Sequence, residues 1–125
     1  MRLIALLGVL FVLSSCSDSD MEENLGLSCY LSSLPADARR EFFEFDFDKN
    51  TVIYKRPASS LLPSEEREFS IISTGPAIIV FGGKWLNIEE EFIFDRATMV
   101  IEVNFVNEDG TYETMWDFIC ESSQI

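Results

Sequence analysis

Two stretches of this chain alternate residue by residue between apolar and polar side chains, and that alternation constrains the fold more than any other feature. Phe43, Phe45 and Phe47 are interleaved with Glu44, Asp46 and Asp48. In an extended strand neighbouring side chains point to opposite faces, so this segment has one aromatic and one acidic face. Asp48-Lys49-Asn50 follow, then Thr51-Val52-Ile53-Tyr54-Lys55. Asn50 tolerates a positive φ, which predicts a hairpin with a three-residue loop. The second stretch sets Met99, Ile101, Val103 and Phe105 against Glu102 and Asn104. Asn107-Glu108-Asp109-Gly110 supplies the turn, with Gly110 suited to the left-handed position. Tyr112, Thr114, Trp116 and Phe118 then return on one face and end at Cys120.

The segments between these hairpins read the same way. Pro57 to Ser64 is rich in Ser and Pro and is a loop. Glu68–Ser73 and Ala77–Phe81 are short strands separated by Thr74-Gly75-Pro76. Gly82-Gly83 is expected to be a tight turn into Trp85. From Trp85 to Phe94 the Glu89-Glu90-Glu91 run favours helix, but Ile88, Phe92 and Phe94 share a strand face by their even spacing. Asp95 caps the next turn and Thr98 begins the following strand. Only Pro35–Arg40 has helical character. The sum is seven or eight short strands with tight connections and no room for helical crossovers, hence an all-β antiparallel barrel or sandwich. The chain has eleven phenylalanines, all but Phe11 within the folded region. An eight-stranded barrel is just filled by side chains. The spacing of the aromatics makes them core, and no sizeable cavity is expected.

The N-terminal segment has a different character. Residues 1–15 begin with Arg2, continue as an apolar run from Leu3 to Leu13, and end in Ser14 and Ser15. The run is shorter than the roughly 20 residues a spanning helix needs, so it reads as an export signal. Leu13-Ser14-Ser15-Cys16 resembles the lipobox of bacterial lipoproteins. That resemblance implies a diacylglyceryl group on the Cys16 thiol, cleavage before it and acylation of the new amine. Several acyl chains, at about 0.8 kcal/mol per buried methylene, hold a protein stably on a membrane. In that family an aspartate after the cysteine favours the inner membrane; the residue here is Ser17, which points to the outer membrane of the cell envelope. Residues 16–24 are then a lipidated cysteine and an acidic tether, and 25–125 one small domain.

With Cys16 lipidated, Cys29 and Cys120 remain, one near each end of the domain. In an oxidising compartment they are expected to pair; the other reading is two buried free thiols. Closing a loop of roughly 90 residues contributes about 4–5 kcal/mol in the chain-entropy model.

The charge excludes several partners. The chain carries 9 Lys+Arg and 22 Asp+Glu, a net charge of −13; loss of Arg2 with the signal leaves 8 against 22, or −14. Nucleic acid and anionic head groups are disfavoured as surface partners, whereas a basic protein is compatible. The sequence contains no histidine, so Ser-His-Asp and Cys-His arrangements are ruled out. Asp46-Phe47-Asp48-Lys49-Asn50 opens like an EF-hand loop. Thr51 stands where that loop needs glycine and Pro57 where it needs a bidentate glutamate, so no metal site is expected. Glu89, Glu90, Glu91, Glu65, Glu66 and Glu68 are expected to be a solvated acidic surface. No phosphate-cradling loop, catalytic group or cofactor site stands out.

Two further resemblances concern the domain. Phe94-Asp95-Arg96-Ala97-Thr98, with a late Cys120, resembles small exported bacterial β proteins that carry an Ile-Asn/Asp-Arg-x-Thr-Gly turn; Met99 replaces the usual glycine. The layout of lipobox, tether, small barrel and terminal disulfide is similar to that of membrane-bound inhibitors of c-type lysozyme. That family presents a Ser-Gly-Ala-Arg-Tyr-like motif, and Ser73-Thr74-Gly75-Pro76-Ala77 lacks its arginine. The expected function is a non-enzymatic envelope lipoprotein whose tethered β domain binds a protein or serves a structural role. Inhibition of a basic enzyme such as lysozyme, and carriage of a small apolar ligand, are the alternatives.

Overall fold

Strand β1 (Leu25–Leu31) pairs with β2 (Glu41–Asp46), and the chain continues as a simple meander through β3 (Thr51–Arg56), β4 (Glu65–Thr74), β5 (Ile78–Trp85), β6 (Ile88–Asp95), β7 (Val100–Val106) and β8 (Tyr112–Ser123). Every neighbouring pair is antiparallel, and β8 returns to β1, so the sheet closes into an eight-stranded barrel. The computed structural model describes residues 24–35 and 39–123. The segment expected to be an export signal and Cys16 lie outside the described residues, as does part of the segment expected to have helical character. Closure leaves no unpaired strand edge, and of the two architectures that the strand count allowed, it is the barrel that forms.

The alternation read from the sequence sorts residues between inside and outside. Phe43, Phe45, Val52, Phe69, Ile79, Phe81, Phe92, Phe94, Ile101, Val103 and Phe118 are all buried and form one core with Leu27 and the two half-cystines. Their rings pack edge-on or offset; Phe81 and Phe92 stack with centroids 4.8 Å apart, and Phe45 meets Phe81 at 5.3 Å. Glu66, Glu68, Glu89 and Glu91 face outward; the first three are exposed and Glu91 is half-buried. An apolar inside and acidic outside is the reverse of a membrane-spanning barrel.

The cysteine pairing lies at the closing seam. Cys29 and Cys120 are directly opposite each other on β1 and β8 and are joined by a disulfide spanning 91 residues of sequence. The covalent link thus ties the first strand to the last, where closure brings together the two ends of the domain.

Turn chemistry explains most of the connections. Asn50 has φ 56° and Gly110 φ 85°, as their residue types foretold. The first loop runs over 47–50 rather than three residues, because Asp46 already pairs with Thr51. Asp46 Oδ1 accepts the backbone N–H groups of Asp48 and Lys49, both at 3.1 Å, so the carboxylate shapes the turn. Asp95 does the same for Ala97 and Thr98, and Met99, where the related turn carries glycine, has φ 61°. Strand β7 consequently starts at Val100 and not at Thr98.

Two expectations are corrected. Gly82-Gly83 is not a turn but lies within β5; the turn is Leu86-Asn87, with Leu86 at φ 58°. A Cβ on Gly82 would lie 2.3 Å from the carbonyl oxygen of Glu90, so glycine is what lets β5 and β6 approach there. Tyr112 and Thr114 do not share the inward face of Trp116 and Phe118, which line the barrel interior. A register shift opposite Val103/Asn104 changes the phase of β8, and both residues are exposed.

Candidate functional site

The up-and-down meander sorts the connections into two sets, one at each end of the barrel. Turns 47–50, 75–77 and 96–99, together with the start of β1, gather at one end, here the base. Connections 32–40, 57–64, 86–87 and 107–111 gather at the other, the mouth. Following the inward residues from base to mouth reveals a change of chemistry. On β2 the series is Phe45, Phe43, Glu41. On β3 it is Val52, Tyr54, Arg56; on β4 Ile71, Phe69, Arg67, Glu65; on β6 Phe94, Phe92, Glu90. Each begins apolar and ends charged.

The mouth is hollow. A cavity of about 390 Å³ opens there, which corrects the expectation of a completely filled interior. That size falls in the range of small-molecule sites. The aromatics fill the barrel from the base up to Phe69, Phe92 and Phe118, which form the floor of the cavity. Above that level long charged side chains replace rings, and they pair with one another along the wall.

The pairing is specific. Arg67 and Glu90 are in contact at 2.5 Å, from β4 and β6 on either side of β5. They reach each other because the inward position between them is Gly83, which pairs with Glu90 and has no side chain to intervene. Arg67 also covers the face of Phe69, 4.7 Å from the ring centroid. Arg56 bonds Glu65 at 3.1 Å and the carbonyl of Pro63 at 3.1 Å, fixing the 57–64 loop to the wall. Tyr54 donates its hydroxyl to Glu41, which Arg39 approaches at 3.9 Å. Burial holds the Tyr54 phenol well above its ordinary range, reinforced by the hydrogen bond to Glu41 and by the charges of Glu41 and Glu65. It therefore remains a neutral donor throughout the physiological range.

The charge is confined to one arc. Strands β2, β3, β4 and β6, with Arg39 just ahead of β2, contribute the charged groups, whereas the mouth positions of β7, β8 and β1 are Phe105, Trp116 and Leu31. Those three strands are contiguous through the closing seam. Phe105 and Trp116 meet edge to face at 5.9 Å. One wall of the cavity is therefore ionic and the opposite wall aromatic.

The rim continues the apolar character. Of the eleven large apolar side chains exposed among the described residues, Leu34, Leu61, Leu62, Leu86, Ile88, Tyr112, Met115 and Trp116 belong to the mouth half. Leu61 is 90% exposed at the tip of a built turn, since the Ser59 hydroxyl accepts the N–H groups of Leu61 and Leu62. Leu86 is 80% exposed and in the left-handed region, which a leucine seldom adopts.

The glutamates expected on a solvated surface divide accordingly. Glu66, Glu68 and Glu89 are exposed and Glu91 is half-buried on the outer face, but Glu90 is buried in the wall and Glu65 is half-buried in it. No group of three or more His, Cys, Asp or Glu side chains among the described residues is placed to hold a metal ion. The site itself was missed by sequence reasoning, although a signal existed. Glu41, Arg56, Arg67 and Glu90 all keep the parity of the buried series on their strands. Comparison with protein-family models, with curated proteins and with solved structures returned no match.

Proposed function

We propose that this chain is a non-enzymatic binding module of the bacterial cell envelope, anchored through lipid on Cys16, that takes up a ligand at the mouth of its barrel. The observation that carries the reading is the 390 Å³ cavity, with an ionic wall of Arg39, Glu41, Tyr54, Arg56, Glu65, Arg67 and Glu90 over a phenylalanine floor. A barrel of this size can fill its interior with apolar side chains. Burying ion pairs in its place carries a desolvation cost that well-packed hydrophobes would not. Such residues make sense where they meet a ligand.

The geometry favours binding over chemistry. Each carboxylate in the wall is engaged, Glu41 by Tyr54, Glu65 by Arg56 and Glu90 by Arg67. A general base needs a carboxylate free to reach the substrate proton, and these are occupied in holding arginines. Lipid anchorage fits the same picture. Strand β1 begins at the base, so a tether from Cys16 joins the barrel at the end away from the mouth. The opening then faces outward from the membrane that carries the anchor.

A protein partner is the second reading, favoured by the exposed apolar rim. The lysozyme-inhibitor alternative has no such support, since 73–77 lies at the β4–β5 turn at the base and carries no arginine. The test of the binding reading is native mass spectrometry of the chain purified from its own envelope, beside Trp116→Ala. A small molecule retained at one per barrel, and lost in the variant, is the expected result. A bare chain from the envelope, together with no component captured at the mouth, would overturn it.

A further inference from the structure

The cavity has a sidedness that specifies its ligand, and from it we infer that the mouth binds a single anionic amphiphile, with a carboxylate or phosphate head against the arginine wall and an apolar body on the Phe105–Trp116 wall and rim. The inference rests on the binding reading above and narrows it to a chemical class.

The sign follows from the donor count. Each guanidinium offers five N–H donors and each carboxylate about four acceptor sites, so three arginines and the Tyr54 hydroxyl outnumber what Glu41, Glu65 and Glu90 can accept. The surplus is visible in the structure: the Nε groups of Arg39 and Arg56 are buried with no acceptor. Exposure has the same direction. The Glu41 and Glu90 side chains are only 7% and 5% exposed, whereas those of their partners Arg39 and Arg67 are 33% and 20% exposed; Glu65, at 32%, is more open than the Arg56 that holds it, at 18%. At the Arg39–Glu41 and Arg67–Glu90 pairs an incoming group therefore meets guanidinium first, and the carboxylates lie behind as the counter-charges that hold it in place. A cation would find two of the three carboxylates buried and all three already taken.

The enrichment is not a reflection of composition. Acids outnumber bases by 22 to 9 in the chain, yet the cavity wall holds three arginines against three glutamates. The apolar part of the ligand follows from the opposite wall. Phe105, Trp116 and Leu31 offer no hydrogen bond toward a head group except the indole N–H. Leu34, in the connection after β1, continues that wall at the rim, and Leu61 and Leu86, on the β3–β4 and β5–β6 connections, carry exposed apolar surface around the rest of the mouth. A free inorganic anion would leave that wall and rim uncovered, and a neutral alkane would leave the arginine donors unmet.

The experiment is a titration of the purified full chain, followed by tryptophan fluorescence and calorimetry, with matched twelve-carbon probes kept below their micelle concentrations. Laurate and dodecyl phosphate test the two head groups; dodecyltrimethylammonium and dodecyl maltoside test charge; inorganic phosphate tests the head alone. The expected result is one anionic probe bound per chain, at least about tenfold tighter than the cationic and neutral probes and about a hundredfold tighter than phosphate, with each tenfold step worth about 1.4 kcal/mol. Arg56→Gln should remove the anionic preference, and Leu61→Ser, at an exposed tip, should weaken all twelve-carbon probes alike. Whichever of laurate and dodecyl phosphate binds more tightly identifies the head. Equal or tighter binding of the cationic or neutral probe would overturn the anionic assignment while leaving a ligand cavity in place. Binding of no probe would overturn the amphiphile, and the envelope purification would then decide the broader reading on its own.

Discussion

The base and the mouth of this barrel are built from the same eight strands and obey different physics. At the base the turns are short, their carboxylates and left-handed residues are committed to backbone geometry, and the interior is aromatic and closed. At the mouth, where the chain makes its two longest connections, from β1 to β2 and from β3 to β4, lies a cavity in which arginine and glutamate have replaced phenylalanine in the inward series. Exposed apolar side chains are concentrated at the same end. Stability is thus invested at one end and left unrealised at the other. That division is expected of a scaffold that must hold a site rigid without closing it.

Core truncation gives the largest test of this division. Phe45 is 1% exposed and packs against Phe47, Phe81 and Phe94 near the base. Phe45→Ala should cost about 3–5 kcal/mol, as large-to-small changes in tight cores do. Trp116→Ala, at a residue 40% exposed in the mouth, should cost less than about 1.5 kcal/mol despite the larger side chain removed. Urea denaturation of the two variants measures both. Equal losses would mean that the mouth is part of the stabilising core and would remove the contrast.

A second test concerns the ion pair at the boundary. Arg67→Met leaves Glu90 buried without its guanidinium and should cost about 3 kcal/mol or more. Combining it with Glu90→Leu should recover most of that, since an apolar replacement of a buried pair is often neutral or stabilising. Recovery would show that the fold does not need the pair, as the proposed binding role requires. A double variant as unstable as the single one would assign the pair to the scaffold.

Much of this fold was legible and the site was not, for one physical reason. Alternation at Phe43–Phe47 and Ile101–Val103 located strands, Asn50 and Gly110 located turns, and the odd cysteine count led to the Cys29–Cys120 link, because each signal is local or arises from simple counting. The cavity wall is non-local. Arg67 meets Glu90 across a strand, and nothing in either segment announces the other. Reading charged residues as outward by default discarded the one clue available, the parity they share with Phe69 and Phe92. Gly82-Gly83 misled similarly: a glycine pair suggests a turn, but here it serves the close approach of two strands, and the turn falls on Leu86-Asn87.

A pH test addresses the deep edge of the wall. The Tyr54 phenol is raised above its ordinary value in the folded chain by burial and by Glu41. Its contribution to stability is complete below about pH 10, where both states hold the proton. Above that the unfolded chain ionises first, so stability falls with pH, by at most about 1.4 kcal/mol per unit for one proton. Tyr54→Phe should lose this alkaline slope. Its neutral-pH cost should be about 1–3 kcal/mol, since the buried Glu41 loses its donor. Denaturant midpoints between pH 8 and 11 read both. An unchanged slope in the variant would mean that Tyr54 ionises freely and that the wall is wetter than its burial implies.

The smallest effect is the most informative about why the mouth looks as it does. Leu86 has φ 58° and is 80% exposed, so it gains little from burial while holding a conformation that disfavours its residue type. Left-handed backbone costs a non-glycine residue roughly 1–2 kcal/mol, less for asparagine, whose short polar side chain bonds locally. Leu86→Asn should therefore stabilise the barrel by about 0.5–1 kcal/mol, read as a higher denaturant midpoint with an unchanged slope. Strain held at an exposed position is characteristic of functional sites, and the same variant should weaken the twelve-carbon ligand by removing part of the rim. A stabilised chain that binds as before would leave Leu86 without a role at the mouth and remove it from the apolar rim that the ligand is proposed to cover. A stabilised chain that binds less would show that stability and binding trade against each other at a single residue, on the end of the barrel where the division predicts it.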